Sequence, residues 1–180
     1  MKTIILPALL SIALTTTSPA QTCREVVRDA SGRVVQTIDR QKSAGGTVQA
    51  TTRDASGRVI GTATANPNTG GSSQTTYRDA SGRLTGTAST QSTTGGSSHT
   101  TYRDASGRMA GSADTRTGSG LASATTQYRD ASGRLTGTTN ASSNTTTQRD
   151  ASGRLTGSSS GSGKCTTPVK VPVPPLGTKK

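Results

Sequence analysis

The stretch Gln-Thr-Thr-Tyr-Arg-Asp-Ala-Ser-Gly-Arg-Leu-Thr-Gly-Thr occupies residues 74–87 and contains the unit from which the chain is built. Its central hexad, Arg-Asp-Ala-Ser-Gly-Arg, occurs six times, and successive copies start 25, 25, 25, 26 and 20 residues apart. All length changes fall in Ser/Thr/Gly-rich connectors, which is typical of surface loops between repeated structural units. The hexads begin at Arg28, Arg53, Arg78, Arg103, Arg129 and Arg149.

Each hexad is predicted to form the tight turn of a β-hairpin. Asp followed three residues later by Gly suits a type I turn, with the glycine in the left-handed conformation of a three-residue hairpin loop. In residues 74–87 this register places Arg78 opposite Leu84 and Tyr77 opposite Thr85, with the two pairs on different faces of the sheet. The turn residues of the central repeats are Asp79 and Gly82, Asp104 and Gly107, and Asp130 and Gly133.

Two columns of side chains line up if successive hairpins pair edge to edge, and together they would form a thin core. The terminal repeats depart from the consensus, as capping repeats do. We therefore predict an all-β fold, an array of six strand-turn-strand repeats of about 25 residues in a β-meander or β-solenoid-like arrangement. One column is Val34, Val59, Leu84, Met109, Leu135 and Leu155, and the other is Val27, Thr52, Tyr77, Tyr102, Tyr128 and Gln148.

Composition leaves disorder in isolation open as an alternative. Residues 21–180 contain 16 Val, Leu and Ile, no Phe or Trp, and a net charge of +11. So few apolar residues combined with this charge are typical of disordered chains or of repeats without a conventional core. An ordinary globular domain is excluded, because the chain lacks the side chains that would fill its interior.

The N-terminus has the pattern of a secretory signal peptide. Lys2 precedes an apolar stretch at residues 3–14, and the small residues Ser18 and Ala20 fit a signal-peptidase site. We expect cleavage after Ala20 and a secreted or periplasmic protein. Three regions are predicted: a signal peptide at 1–20, the repeat region at 21–160 and an extended tail containing Pro and Lys at 161–180.

Two cysteines, Cys23 and Cys165, bracket the repeats. In an oxidising compartment such a pair predicts a disulfide. A bond within the chain requires the two ends to come within reach, whereas an extended array would favour a bond between subunits. The sequence leaves both pairings open.

The sequence offers no set of residues for catalysis or metal binding. His99 is the only histidine, and no Cys or Asp stands near it in the chain to complete a metal or nucleophile set. The many Ser and Thr hydroxyls have no base to activate them. We therefore predict a protein that is not an enzyme and that needs no cofactor or metal.

The motif Tyr-Arg-Asp-Ala-Ser-Gly-Arg-Leu at residues 77–84 resembles the tyrosine-aspartate (YD) repeat of the Rhs family, whose core runs Tyr-Asp-x-x-Gly-Arg-Leu or Ile. All six copies match Asp-x-x-Gly-Arg, and three carry the tyrosine, one residue earlier than in that family. The resemblance spans nearly all of residues 24–160. The resemblance implies β-hairpins and a cell-surface role linked to carbohydrate binding. It does not imply the closed shell that Rhs-type repeats build, because six repeats are too few to form one.

The arginines of the hexads are the candidate binding residues. Stacked hairpins would align them in two rows of positive charge, which suits a polyanion with its own repeating charge. Candidate partners are an acidic glycan, lipopolysaccharide or extracellular DNA. Alternatively, the arginines only brace the turns and keep the sheet soluble. The first row is Arg28, Arg53, Arg78, Arg103, Arg129 and Arg149, and the second is Arg33, Arg58, Arg83, Arg108, Arg134 and Arg154.

These features predict an exported bacterial repeat protein with a structural or adhesive role at the cell surface or in the periplasm, binding anionic polysaccharide through its arginine rows. Two alternatives remain. One is a self-assembling extracellular fibre subunit, because curli-type subunits are similar in their strand-turn-strand repeats. The other is a disordered basic linker.

Overall fold

The computed structural model describes residues 21–93, 95–118 and 123–163, and most of these residues lie in β-strands. The predicted all-β array of six hairpins is confirmed. The predicted signal peptide and most of the predicted tail lie outside the described residues. The strands are β1 (Gln21–Asp29), β2 (Val34–Lys42), β3 (Val48–Asp54), β4 (Val59–Pro67), β5 (Ser73–Asp79), β6 (Leu84–Ser92), β7 (Ser98–Asp104), β8 (Met109–Thr117), β9 (Ser123–Asp130), β10 (Leu135–Ser142), β11 (Thr145–Asp150) and β12 (Leu155–Gly163).

The twelve strands form an antiparallel meander that closes into a barrel. Each strand pairs with its neighbours in sequence, and β1 completes the ring by pairing with β12 from Cys23 opposite Gly163 to Asp29 opposite Gly157. The terminal repeats therefore pair with each other, and the prediction that they serve as capping repeats is wrong. Closure supplies every strand with two partners, which an open array cannot do for its ends.

Successive loops of the closed meander lie alternately at the two ends of the barrel. Strand direction alternates, so the turns after β1, β3, β5, β7, β9 and β11 all lie at one end, and these are the six hexads. We call this end the arginine rim. The Ser/Thr/Gly-rich connectors lie at the opposite end, where the connector after β4 includes a short 3-10 turn at Thr69–Gly71.

The hexads form the predicted three-residue hairpin loops. In the third hairpin, Gly82 has a φ of 80° and its N–H donates to the carbonyl of Asp79 at 3.0 Å. The Asp79 N–H donates in turn to the carbonyl of Arg83 at 2.9 Å. The same pattern occurs in all six hexads, so the sequence feature of Asp and Gly three residues apart defines the turn.

A register shift after each turn changes which side chains face inward. Arg78 lies opposite Leu84 as predicted, but Tyr77 lies opposite Gly86 and not opposite Thr85. The extra residue forms a β-bulge. Beyond it, the residues of the second strand that face inward are those predicted to face outward, and the reverse. Gly86 and Ala88 consequently share the inner face with Tyr77, whereas Thr85 is exposed.

The two predicted core columns therefore separate. The tyrosine column lies inside, where Tyr77 and Tyr102 are buried and Tyr128 packs against the same cluster with Ile38 and Ala63. The apolar column is on the outer face, which contradicts the prediction that it contributes to the core. Its members are exposed except for half-buried Leu135, and the exposed ones are Val34, Val59, Leu84, Met109 and Leu155.

Glycine follows the bulge because neighbouring hairpins approach closely there. A Cβ on Gly86 would lie 2.5 Å from the carbonyl oxygen of Arg103 on β7. Atoms at that distance must move apart, and the contact atom belongs to backbone. The first hairpin carries Gln36 at this position, opposite Asp54. The other four hairpins have a glycine with a similar close approach, at 2.4–2.9 Å, and these are Gly61, Gly111, Gly137 and Gly157.

Candidate polyanion-binding site

The arginine rim collects all twelve predicted binding residues at one end of the barrel. Its six turns contribute twelve arginines and six aspartates, a formal net charge of +6. Eleven of the arginines are exposed, and Arg53 is half-buried. The two predicted rows do not run along an open array, because closure of the barrel bends both into rings.

The first arginine of each hexad braces its own turn. Its Nη1 donates to the carbonyl of the turn glycine four residues later, as Arg78 does to Gly82 at 2.9 Å. Its side chain lies on the outer face opposite the exposed apolar residue of the same hairpin, as in the pair of Arg78 and Leu84. The bond recurs from Arg28, Arg53, Arg103, Arg129 and Arg149 at 2.8–3.1 Å.

The carboxylates of the turn aspartates accept hydrogen bonds from backbone N–H groups of their own turns. Asp130 Oδ1 accepts the N–H of Ser132 at 2.9 Å and of Arg134 at 3.0 Å, and the Ser132 hydroxyl at 2.6 Å. The Ser132 hydroxyl is the largest cause that holds the pKa of Asp130 below its usual range, and backbone donors add to it. The corresponding serine hydroxyls lower the pKa of Asp54 and Asp150 in the same way.

The guanidinium of the second arginine in each hexad has no partner among the described residues. In the described part of the chain, no guanidinium forms an ion pair with a turn aspartate. The backbone N–H of Arg83 donates to Asp79, but its guanidinium makes no hydrogen bond to any described residue. The same holds for Arg33, Arg58, Arg108, Arg134 and Arg154. The rim thus presents six unpartnered planar cations, the group best suited to carboxylate, sulfate or phosphate.

A groove on the outer face of β1, β2 and β3 was not found from the sequence. Asp39 forms an ion pair with Arg24, whose Nε lies 2.9 Å from Oδ1, and its Oδ2 lies 3.7 Å from Arg53 Nε. These residues stand far apart in the chain, and only strand pairing brings them together. The signal that the sequence offered was the departure of the first hairpin from the repeat consensus. That departure predicted a capping repeat and not a binding site.

His99 has a carboxylate neighbour in the fold, although no Cys or Asp stands near it in the chain. Its Nδ1 lies 2.7 Å from Asp114 Oδ1, because the two residues are directly opposite on β7 and β8. Thr101 Oγ1 lies 3.5 Å from the other ring nitrogen. Thr101, His99 and Asp114 therefore follow the order of a catalytic triad of hydroxyl, imidazole and carboxylate. The neighbouring backbone N–H groups, however, belong to strand ladders and do not converge as oxyanion donors.

The barrel interior contains polar groups as well as small apolar ones. Burial raises the pKa of Tyr77 and Tyr102, and their hydroxyls have no partner among the described residues. Arg40 and Glu25 form an ion pair on the inner face near the closure of the barrel.

The described residues include no group of three His, Cys, Asp or Glu side chains that could hold a metal ion. None of the described segments forms a helix with the length and hydropathy needed to cross a membrane.

Barrel closure also bears on the predicted disulfide. Cys23 on β1 lies opposite Gly163 at the end of β12. Cys165 follows two residues later and lies outside the described residues. The disulfide stays a prediction, and the paired strands favour the intramolecular form over a bond between subunits.

Comparison with known proteins supports the repeat assignment. Residues 129–164 match the RHS repeat family profile, and the predicted resemblance to Rhs-type repeats is confirmed in this segment. A solved structure from Parabacteroides distasonis ATCC 8503, provisionally assigned as a lipoprotein, is similar with a TM-score of 0.35 and 9% identity. The similarity covers 81% of this chain and 94% of that chain. No curated protein matches the sequence.

Proposed function

We propose that this chain, which carries an RHS repeat at residues 129–164, is an exported structural or adhesive protein that binds acidic polysaccharide through its arginine rim. Export rests on the leader pattern at residues 1–20. Acidic polysaccharide is the proposed partner because its anionic groups recur along the polymer, as the cations recur around the rim. No step of chemical catalysis is part of this function.

One observation carries the proposal, the six guanidinium groups that the turns leave without a partner. The first arginines bind the glycine carbonyls and the aspartates bind backbone N–H groups, so each turn is braced without the guanidinium of its second arginine. The purely structural reading accounts for one arginine per hexad and leaves the other unexplained. Exposed arginines of one sign, repeated around a ring, raise the local concentration of a polyanion.

Closure of the barrel counts against the fibre alternative. Fibre growth by strand addition needs a strand with an unpaired edge. Both edges of every strand from β1 to β12 are paired within the barrel. A disordered linker is likewise a poor description of residues that pair continuously over twelve strands.

The test compares two double variants that remove the same charge. Arg83→Gln with Arg108→Gln removes two unpartnered rim cations, whereas Lys42→Gln with Arg116→Gln removes two exposed cations near the connector end of the barrel. Binding to heparin and to polygalacturonate is measured by titration over a range of salt concentrations. The rim variant should bind more weakly and with a flatter salt dependence, because fewer counterions are released. The connector-end variant should behave like the parent protein.

Three results would overturn the proposal. Equal losses in the two variants would mean that binding follows net charge alone and that the rim is no site. Failure of the parent to bind either polymer at physiological salt would remove the function itself. Tighter binding of duplex DNA than of both acidic polysaccharides would keep the rim but assign it a different partner.

A further inference from the structure

We propose that the groove on the outer face of β1, β2 and β3 binds a single acidic sugar residue, such as a uronic acid at the end of a polysaccharide. The groove has a volume of about 580 Å³, within the usual range for small-ligand sites. The inference rests on the proposed polysaccharide function and adds a second site that selects one sugar unit. The residues that carry it are Arg24, Asp39, Gln41, Gln49, Thr51 and Arg53.

Strand register arranges these side chains as a compact polar grid. Gln41 on β2 lies opposite Gln49 on β3, and two residues further along the strands Asp39 lies opposite Thr51. Arg24 on β1 lies opposite Asp39 from the other side. Residues directly opposite each other in a sheet point to the same face with Cβ atoms about 4.5–5.5 Å apart. Amide, carboxylate, hydroxyl and guanidinium groups thus lie side by side on one face of the sheet.

The carboxylate of Asp39 lies beside both arginines and leaves the two outer nitrogens of Arg24 available. Arg24 contacts it through Nε, so neither Nη of Arg24 is used in a bond to a described residue. Arg53 places Nε near the same carboxylate and Nη1 on the carbonyl of Gly57 at 3.1 Å. The three side chains keep a net charge of +1, and the two Nη groups of Arg24 can donate two parallel hydrogen bonds to a sugar carboxylate or sulfate.

Neutral groups beside the cations favour a sugar over a simple inorganic anion. The amides of Gln41 and Gln49 both donate and accept, as sugar hydroxyls do, and Thr51 adds a hydroxyl. Aromatic side chains are absent from the described lining, so a nucleobase would lack a stacking surface. At the equivalent seam between β4 and β5, Asn66 lies opposite Gln74, but Thr64 and Gln49 stand where the groove has Asp39 and Arg24. The arginine and the carboxylate therefore distinguish the groove from that seam.

The experiment uses digalacturonic acid, which is too short to span several rim turns, and its neutral methyl ester. Gln41→Ala with Gln49→Ala should weaken binding of the acid about tenfold, because each lost hydrogen bond costs several-fold in Kd. Gln74→Ala with Gln91→Ala, exposed glutamines outside the groove, is the matched control and should have no effect. Arg24→Gln should abolish the preference for the acid over the ester.

The outcomes separate this site from the rim. Unchanged binding of digalacturonic acid by the Gln41 and Gln49 variant, with its circular dichroism spectrum intact, would overturn the groove. Equal affinity for the acid and its ester in the parent protein would do the same. The Arg83 and Arg108 variant should bind the disaccharide normally while binding the polymer more weakly. A parent that binds polymer at the rim but no disaccharide keeps the proposed function and refutes this inference.

Discussion

Replacement of Gly86 by alanine tests the packing between neighbouring hairpins most directly. The added Cβ would lie 2.5 Å from the carbonyl oxygen of Arg103, 3.6 Å from its carbonyl carbon and 3.7 Å from Asp104 Cα. Since every one of these atoms belongs to backbone, relief requires β6 and β7 to separate along their shared ladder. The expected effect is a loss of stability without loss of the turn.

The magnitude follows from two opposing effects. Overpacking of a well-fitted site costs about 1–3 kcal/mol, and replacing glycine returns about 0.4–1 kcal/mol by restricting the unfolded chain. The net loss in the free energy of unfolding should be about 1–2 kcal/mol. For a chain of this size that corresponds to a fall in Tm of about 2–8 °C. Thermal and urea unfolding, followed by far-ultraviolet circular dichroism, measure both quantities.

Gly161→Ala is the matched control, because its Cβ would come no closer than 3.9 Å to the carbonyl oxygens of Arg24 and Asn144. This variant should be as stable as the parent or slightly more so. Gly61→Ala, with a closest approach of 2.9 Å, should cost less than Gly86→Ala. A Gly86→Ala protein that melts at or above the temperature of the parent would refute the account of why glycine occupies this position.

Three further predictions concern the turns, the termini and the interior. Because its folded pKa lies below the unfolded value of about 3.9, Asp130 adds stability that is present above that pH and lost as the pH falls through the folded pKa. Ser132→Ala should therefore raise the pKa of Asp130 in an NMR titration, and an unchanged value would contradict the assigned hydrogen bond. Thiol labelling of the unreduced protein should find neither Cys23 nor Cys165 free, with a monomer on a non-reducing gel, whereas full labelling of both would exclude the disulfide. Burial raises the pKa of Tyr102, so its contribution to stability is fully present below the unfolded pKa of about 10 and is lost as the pH rises towards the folded value. Tyrosinate absorbance should accordingly appear together with unfolding, and its appearance in a protein with an intact circular dichroism spectrum would show that the tyrosines are accessible.

The turns were predictable from the sequence because they depend on local chemistry. Asp79 and Gly82 fix the loop through bonds that span four residues, and no distant contact is required. The register opposite Tyr77 was predicted wrongly because the β-bulge that follows the turn was not anticipated. Gly86 stands just beyond this bulge, but the reason for a glycine there is visible only beside the carbonyl of Arg103.

The candidate site was predicted in its residues but not in its arrangement. The twelve arginines follow from the repeat, yet their division into bracing and unpartnered groups depends on which atoms the turn uses. Leu84 shows the same difficulty for the core, since its apolar column looked internal until the bulge turned it outward. Closure between β1 and β12 joins residues more than a hundred positions apart, which no local pattern specifies.

A ring of hairpins has a consequence for how the gene can change. Near-identical coding repeats recombine unequally, and in an open solenoid an added or deleted copy merely lengthens or shortens the array. Here one copy more or fewer would demand a barrel of fourteen or ten strands in place of twelve, with a different circumference and a different interior. Selection on folding should therefore hold the copy number at six even while the sequences of individual connectors drift.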